Sequence, residues 1–277
     1  LYASTVVNVL PRENGQAFVF TLAGELKPSF EPKIASFLSK IASDCPWLED
    51  FTLHIDSQNN FPHGTGIASS AAGFGALGLC LAHIEQLIHG STDLSARIQD
   101  MDFWQRSSYL SRIGSGSACR SMFDKPAVWG LSDAVSGSSD LFAVPLDGDI
   151  HPHLQGWKDV VLIVDDGEKS VSSTAGHALL EAHPYATARF GQAQKNLGLL
   201  IEAMRNGDVQ QFIAIVESEL QILSRERAEI ANELVSMVWF WQYLSKAQAD
   251  RRSEVERVDL KIEEVNKRLA RERCWLH

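Results

Sequence analysis

Apolar and polar residues alternate over Thr5–Leu10, over Ala17–Leu22 and again over Phe51–Asp56. A period of two is that of strands with one face buried. Asn14-Gly15 between the first two segments is a favoured two-residue turn, so the pattern predicts that those strands pair directly as a hairpin. The period lengthens to that of helices over Pro32–Ser43, over the small-residue apolar run Ile67–His83, over Leu94–Arg112, over Tyr185–Arg205 and from Asp208 onward. Leu141–Val144 and Val160–Val164 read as further strands, and the polar stretch Leu131–Asp140 as a loop between two halves. The order of elements is α+β, with no internal repeat and no low-complexity tract.

From Leu220 the pattern changes character. Ile230, Leu234, Met237, Trp241 and Leu244 alternate spacings of four and three, and Val255, Val258, Ile262, Val265 and Leu269 resume the alternation. Two amphipathic helices or one long one are predicted, with Ala249–Ser253 as the turn, Ser253 as a cap and Glu256 completing a capping box. The cluster Trp239-Phe240-Trp241 carries too much apolar area to stay in water. Packing within the chain or a homodimer would cover it; a partner-binding helix and a truncated, frameshifted or chimeric reading frame remain alternatives.

Composition narrows the classes of function. The chain has 277 residues, 45% of them hydrophobic, enough for one large or two modest domains with a sizeable core. A formal net charge of −10 disfavours nucleic acid as a partner, since phosphate neutralisation needs a basic surface. Small anionic metabolites stay open, because local amides and single cations can hold them. The four cysteines lack metal spacing and point to a reduced, cytoplasmic protein. His151-Pro152-His153 has no third ligand at useful spacing, and the apolar run after residue 67 fits a buried helix better than a membrane span.

The chemistry concentrates in Phe61-Pro62-His63-Gly64-Thr65-Gly66-Ile67-Ala68-Ser69-Ser70-Ala71-Ala72-Gly73, a hydroxyl-rich loop that runs into a helix. Amides at a helix start have no intrahelical partner and lie at the positive end of the dipole, so they can take phosphate oxygens where side chains are small. Gly64, Gly66, Ala68 and Ala71 leave that space; Thr65, Ser69 and Ser70 add hydroxyls. The spacing is neither the Walker pattern nor G-x-G-x-x-G. A plain capped turn before a core helix is the alternative.

This loop resembles the second motif of the GHMP small-molecule kinases, with Ile67 where leucine is usual. A second run, Ser111-Arg112-Ile113-Gly114-Ser115-Gly116-Ser117-Ala118-Cys119-Arg120-Ser121, is similar to the mevalonate diphosphate decarboxylases. A third, Lys169-Ser170-Val171-Ser172-Ser173-Thr174, resembles their Ser-Ser-Thr element, and His183-Pro184-Tyr185 with Arg189-Phe190 resembles the bacterial branch. The likeness spans about residues 1–219.

It implies a GHMP-kinase-like two-layer fold, with a ribosomal-protein-type N-terminal half over residues 1–135, a partial α/β C-terminal half over 136–219 and a divergent helical tail over 220–277. The implied reaction is ATP- and magnesium-dependent decarboxylation of mevalonate diphosphate to isopentenyl diphosphate. The resemblance gives Arg120 to the substrate carboxylate and Ser115, Gly116 and Ser117 to its diphosphate. It gives Gly64, Gly66, Ala68, Ser69, Ser70, Ser172 and Thr174 to the nucleotide phosphates. Ser173 and Arg120 are the implied catalytic residues, and Ser69 with Ser173 the implied magnesium ligands. A guanidinium suits a carboxylate because its planar fork can make paired hydrogen bonds. Two family elements have no counterpart in these residues: the Asn-x-Ala-x-x-Lys-Tyr-Trp-Gly-Lys-like segment and the Asp-Ala-Gly-Pro-Asn-like motif whose aspartate is the proposed base. A kinase that does not decarboxylate and a silent anion-binding or assembly protein therefore stay open.

Overall fold

A computed structural model of the chain describes residues 1–13, 15–61, 68–90, 100–146, 148, 150–155 and 186–218. The chain divides into two units, Leu1–Asp149 with Lys158–Glu168, and Ile150–Trp157 with Lys169–His277. In the first, four strands form one sheet: β1 (Ala3–Pro11), β2 (Phe18–Leu22), β3 (Glu25–Leu26) and β4 (Phe51–Asn59). Their order is β1-β4-β2-β3. β4 runs antiparallel to β1, from Ala3↔Asn59 to Pro11↔Phe51, and parallel to β2, from Phe18↔Leu53 to Leu22↔Ser57.

The strands expected at residues 5–10, 17–22 and 51–56 are therefore present, but the hairpin expected at Asn14-Gly15 is not. β4 lies between the two strands that the turn was to join. The connecting segment is tied to the start of β4 instead: the Arg12 side chain donates to the carbonyls of Leu48 and Phe51, and the Thr52 hydroxyl donates to the Gln16 carbonyl. A two-residue hairpin does occur one turn later, at Ala23-Gly24 between β2 and β3. Both turn residues have positive φ, 53° and 79°, as the primed turn that matches strand twist requires.

Three helices share one core with this sheet: α1 (Glu31–Ile41), α2 (Ser69–Ile88), which packs on β1 and β4, and α3 (Met101–Gly114), which packs on α1 and α2. α1 buries Ile34, Phe37, Leu38 and Ile41 at three- and four-residue spacing, as its sequence period requires. The described part of α3 begins at Met101, where Asp100 accepts the Asp102 amide at 2.9 Å; residues 94–99 of the expected helix lie outside the described residues. Phe20, Phe37, Leu53, Ile55, Phe74, Leu81 and Leu110 form the centre of the core.

α2 and α3 meet along a seam of small residues. Ala71, Gly75, Gly78 and Ala82 recur on one buried face of α2, and Ser107, Ser108 and Ser111 of α3 are wholly buried opposite. Contact there is backbone against backbone: a Cβ on Gly78 would stand 2.7 Å from the Ser111 nitrogen and 2.9 Å from its Cα. Among the described residues α2 alone is long and apolar enough to cross a membrane, and its apolar length is accounted for by packing against β1, β4 and α3.

Beyond α3, a 3-10 turn (Gly116–Met122) leads to a two-stranded ribbon of β5 (Ala127–Trp129) and β6 (Ala143–Pro145). β5 was not expected. The strand expected from Leu141 starts at Ala143, because Leu141 is exposed and its carbonyl instead accepts Arg112 Nε at 2.8 Å. In the second unit, α4 (Ala186–Asn206) and α5 (209–218) match the two helices expected there. The expected strand at residues 160–164 and the tail from 220 lie outside the described residues.

Candidate functional site

Two loop ends bearing the expected anion ligands converge through the α2–α3 seam. α2 opens at Ser69 and α3 closes at Gly114. A Cβ on Gly114 would fall against the Phe74 ring, and one on Gly75 would stand 3.1 Å from Ser121 Cβ, so the start of α2 lies beside the end of α3 and the turn that follows. Phe74 is four residues from Ser70, about 6 Å along a helix axis.

At the α2 end, Ala68 is the residue before the helix and has φ 54° and ψ 35°, a left-handed conformation that alanine rarely adopts. As an alanine, the capping residue has no side-chain acceptor to offer the first amides. Lys33 of α1 donates from Nζ to Ser70 Oγ at 2.9 Å and lies 5.2 Å from the centre of the Phe74 ring. A cation and two half-buried hydroxyls therefore stand at the positive end of a long helix, an arrangement suited to phosphate oxygens.

An apolar cleft opens between this terminus and the sheet. Its helical wall carries Lys33, Ser69, Ser70 and Phe74, and its sheet wall carries Thr5, Ser57 and Asn59, with Phe20 and Phe30 between. The Thr5 and Ser57 hydroxyls share a hydrogen bond of 3.0 Å, and Asn59 Oδ1 is buried without a hydrogen-bond partner. A flat, mostly apolar group with a polar edge would satisfy both walls.

At the α3 end, Ser115 leaves the helix in an extended conformation and its carbonyl accepts the Ala118 amide at 2.8 Å. Ser117 and Arg120 point to solvent, while Ser115 and Gly116 are half-buried. No described residue forms an ion pair with Arg120. The turn is held from beneath: Cys119 Sγ donates to the Gly116 carbonyl at 3.0 Å, and the Ser108 hydroxyl donates to the Cys119 carbonyl at 2.9 Å. Gly116 also admits Trp129 closely, where a Cβ would meet its ring at 2.8 Å.

Burial holds the thiols in their protonated form. Burial pushes Cys45 up to about 11 against the opposing pull of Arg106, and burial likewise raises Cys119 against Arg120. Arg106 is held by Glu85 at 2.7 and 2.8 Å and ties α2 to α3.

Of the residues singled out from the sequence, the structure places Ala68, Ser69 and Ser70 at the start of α2, and Ser115, Gly116, Ser117 and Arg120 on the turn beside it. Gly64, Gly66, Ser172, Ser173 and Thr174 lie outside the described residues. Sequence reasoning missed Lys33 and the cleft residues. Lys33 follows a proline in the first turn of α1, next to Ile34, the first buried residue of that helix; projecting α1 onto the start of α2 was the signal available. Among the described residues no cluster of three or more His, Cys, Asp or Glu could hold a metal.

Residues 1–140 match the model of the diphosphomevalonate decarboxylase-like N-terminal domain. The diphosphomevalonate decarboxylase of Saccharomyces cerevisiae is 36% identical over 158 residues, which take in 57% of this chain and 34% of that one. A solved structure of MDDEF in complex with MVAPP, AMPPCP and magnesium is 25% identical, with TM-score 0.54, and the match covers 77% of this chain and 60% of that one. The mevalonate diphosphate decarboxylase of Enterococcus faecalis, solved for its mevalonate diphosphate mediated ATP binding, is also similar: 25% identity, TM-score 0.54, 78% of this chain and 59% of that one. The α+β, GHMP-kinase-like fold expected from the sequence is the fold these neighbours share. The chain spans about a third of the length of the yeast relative.

Proposed function

Because the chain belongs to the diphosphomevalonate decarboxylase-like family, we propose that it binds mevalonate diphosphate and ATP and carries out the ATP-dependent decarboxylation that yields isopentenyl diphosphate. The observation that carries this reading is the placing of Arg120 and Ser117, both exposed, beside a helix start furnished with Ser69, Ser70 and Lys33. Both anions are taken at the same end of the α2–α3 seam, one on the start of α2 and the other on the turn after α3.

Arg120 holds the substrate carboxylate through its planar fork, and Ser115, Gly116 and Ser117 hold the diphosphate. The start of α2, with Ser69, Ser70 and Lys33, holds the ATP phosphates, and the apolar cleft receives the base, its polar edge toward Ser57 and Asn59. Gly64, Gly66, Ser172, Ser173 and Thr174, which lie outside the described residues, are assigned to the phosphates by the resemblance, with Ser173 and Arg120 in the catalytic roles. The donors fit a nucleotide better than a bare metal: Ser69 would share magnesium with phosphate oxygens, as that ion prefers. Magnesium bound in this way neutralises charge as the phosphoryl group is transferred.

Phosphoryl transfer rests on positioning and charge neutralisation, which loops and cations supply. Transfer to the tertiary hydroxyl makes it a leaving group, and its departure with carbon dioxide leaves the alkene. We also propose domain limits at 1–135, 136–219 and 220–277, a cytoplasmic setting in keeping with the free thiols of Cys45, Cys80 and Cys119, and a homodimer as the state that covers the tail.

The test is release of ADP and carbon dioxide from ATP, magnesium and mevalonate diphosphate by the full chain. Stoichiometric release of both supports decarboxylation. ADP without carbon dioxide marks a kinase, and binding without either marks a silent anion-binding protein.

A further inference from the structure

Ser108 is wholly buried on α3 and touches none of the groups assigned to ligands, yet it joins three elements. Its hydroxyl donates to the carbonyl of Cys119 at 2.9 Å and accepts the amide of Ala143 at 2.9 Å. Cys119 immediately precedes Arg120, and Ala143, also wholly buried, opens β6. The neighbouring buried serines differ. Ser107 donates to the Phe103 carbonyl of its own helix at 2.8 Å, and Ser111 donates to that of Ser107 at 2.7 Å. Ser107 thus bends back along α3 alone, and Ser111, though it also approaches the Gly75 carbonyl at 3.4 Å and Met122 Sδ at 3.9 Å, bonds neither the Cys119–Arg120 peptide nor β6.

We infer that Ser108 is the positioning residue for Arg120: by holding the Cys119 carbonyl and the β6 amide together it fixes the peptide between residues 119 and 120, at the end of the 3-10 turn away from Ser115–Ser117, in the orientation that aims the guanidinium at a substrate carboxylate. This rests on the reading of Arg120 as the carboxylate ligand. The physical reason is that a hydroxyl can be donor and acceptor at once, and both partners belong to wholly buried residues. With Ser108 in place the peptide between residues 119 and 120 cannot rotate without leaving two buried polar groups unpaired. Arg120 itself is exposed and has no ion-pair partner among the described residues, so its aim depends on that peptide.

The test compares two ligands that share a diphosphate and differ in the carboxylate, mevalonate diphosphate and isopentenyl diphosphate, by calorimetric titration of the full chain. Ser108→Ala is expected to weaken mevalonate diphosphate by roughly tenfold to a hundredfold, the scale of a misplaced ligand group, and to leave isopentenyl diphosphate unchanged. In an Arg120→Ala background it is expected to have no further effect, the non-additivity of two residues acting through one contact. Ser107→Ala, equally buried, is expected to alter neither affinity. Equal losses of both ligands in Ser108→Ala, or none, overturn the inference. Should Ser108→Ala not fold, Ser108→Cys replaces it: the weaker, longer sulfur donor is expected to lower the ratio of the two affinities, and an unchanged ratio overturns the inference. If Arg120→Ala leaves mevalonate diphosphate binding unchanged, the carboxylate reading falls and this inference with it. If Arg120→Ala weakens it and Ser108→Ala does not, only this inference falls.

Discussion

The serines on the two sides of Gly114 are the same side chain in opposite roles. Before it, Ser107, Ser108 and Ser111 are wholly buried and spend their hydroxyls on carbonyls inside the protein. After it, Ser115 is half-buried and Ser117 exposed, on a turn beside the start of α2. The buried set lets α3 approach the glycine face of α2 backbone to backbone; the exposed set uses the nearness that results. Serine serves both because it is small enough for a seam and polar enough for a ligand, so burial, not identity, separates packing from binding.

The comparison breaks first at the seam. Gly78→Ala pushes a methyl against the Ser111 backbone, and overpacking that cannot relax by side-chain motion should cost about 3 kcal/mol, read as a lower denaturant midpoint at unchanged slope. Next comes the hub serine. Ser108→Ala leaves the buried Ala143 amide unpaired and removes one bond from the Cys119 carbonyl, and should cost about 2–3 kcal/mol, whereas Ser107→Ala, which loses only a bond within its own helix, should cost about 1 kcal/mol or less by the same measurement.

On the exposed side the effects move from stability to binding. Lys33→Met should weaken an ATP analogue with magnesium by about tenfold, near 1.4 kcal/mol, in a calorimetric titration. Its melting point should barely move. Ser117→Ala should change stability by no more than about 0.5 kcal/mol and cost about 0.5–1.5 kcal/mol of mevalonate diphosphate affinity, the worth of one hydrogen bond. An equal stability loss in Ser117→Ala and Ser108→Ala would erase the distinction between the two sets.

The strands β1, β2 and β4 and the helices α1, α2 and α4 were legible because each carries a sustained period that burial enforces. Pairing was not. Asn14-Gly15 is strong local turn chemistry, but the partner of β1 is β4, some forty residues on, and no local signal speaks of a parallel pair such as β2 with β4. β5 escaped because three residues are too few to show a period.

In the site, the glycine-serine loop and the Ser115–Arg120 run stood out by composition and by resemblance, and the structure puts the described end of the first, from Ala68, beside the second. The glycines that bring them together gave no such signal, since Gly75 and Gly78 read only as small residues in an apolar helix until their contact with α3 is seen. Lys33 escaped for the complementary reason. An exposed lysine is ordinary, and only its distance to Ser70 and Phe74 makes it part of the site.

The central claim is that the turn after α3 recognises a carboxylate through Arg120. Calorimetric titration of mevalonate diphosphate into the full chain and into its Arg120→Ala variant tests it most directly. The account predicts binding to the first and a loss of about 1.5–3 kcal/mol in the second, the worth of a charged hydrogen bond, with an unchanged melting temperature. Equal affinity in the two proteins, or no binding to the unaltered chain, would contradict it.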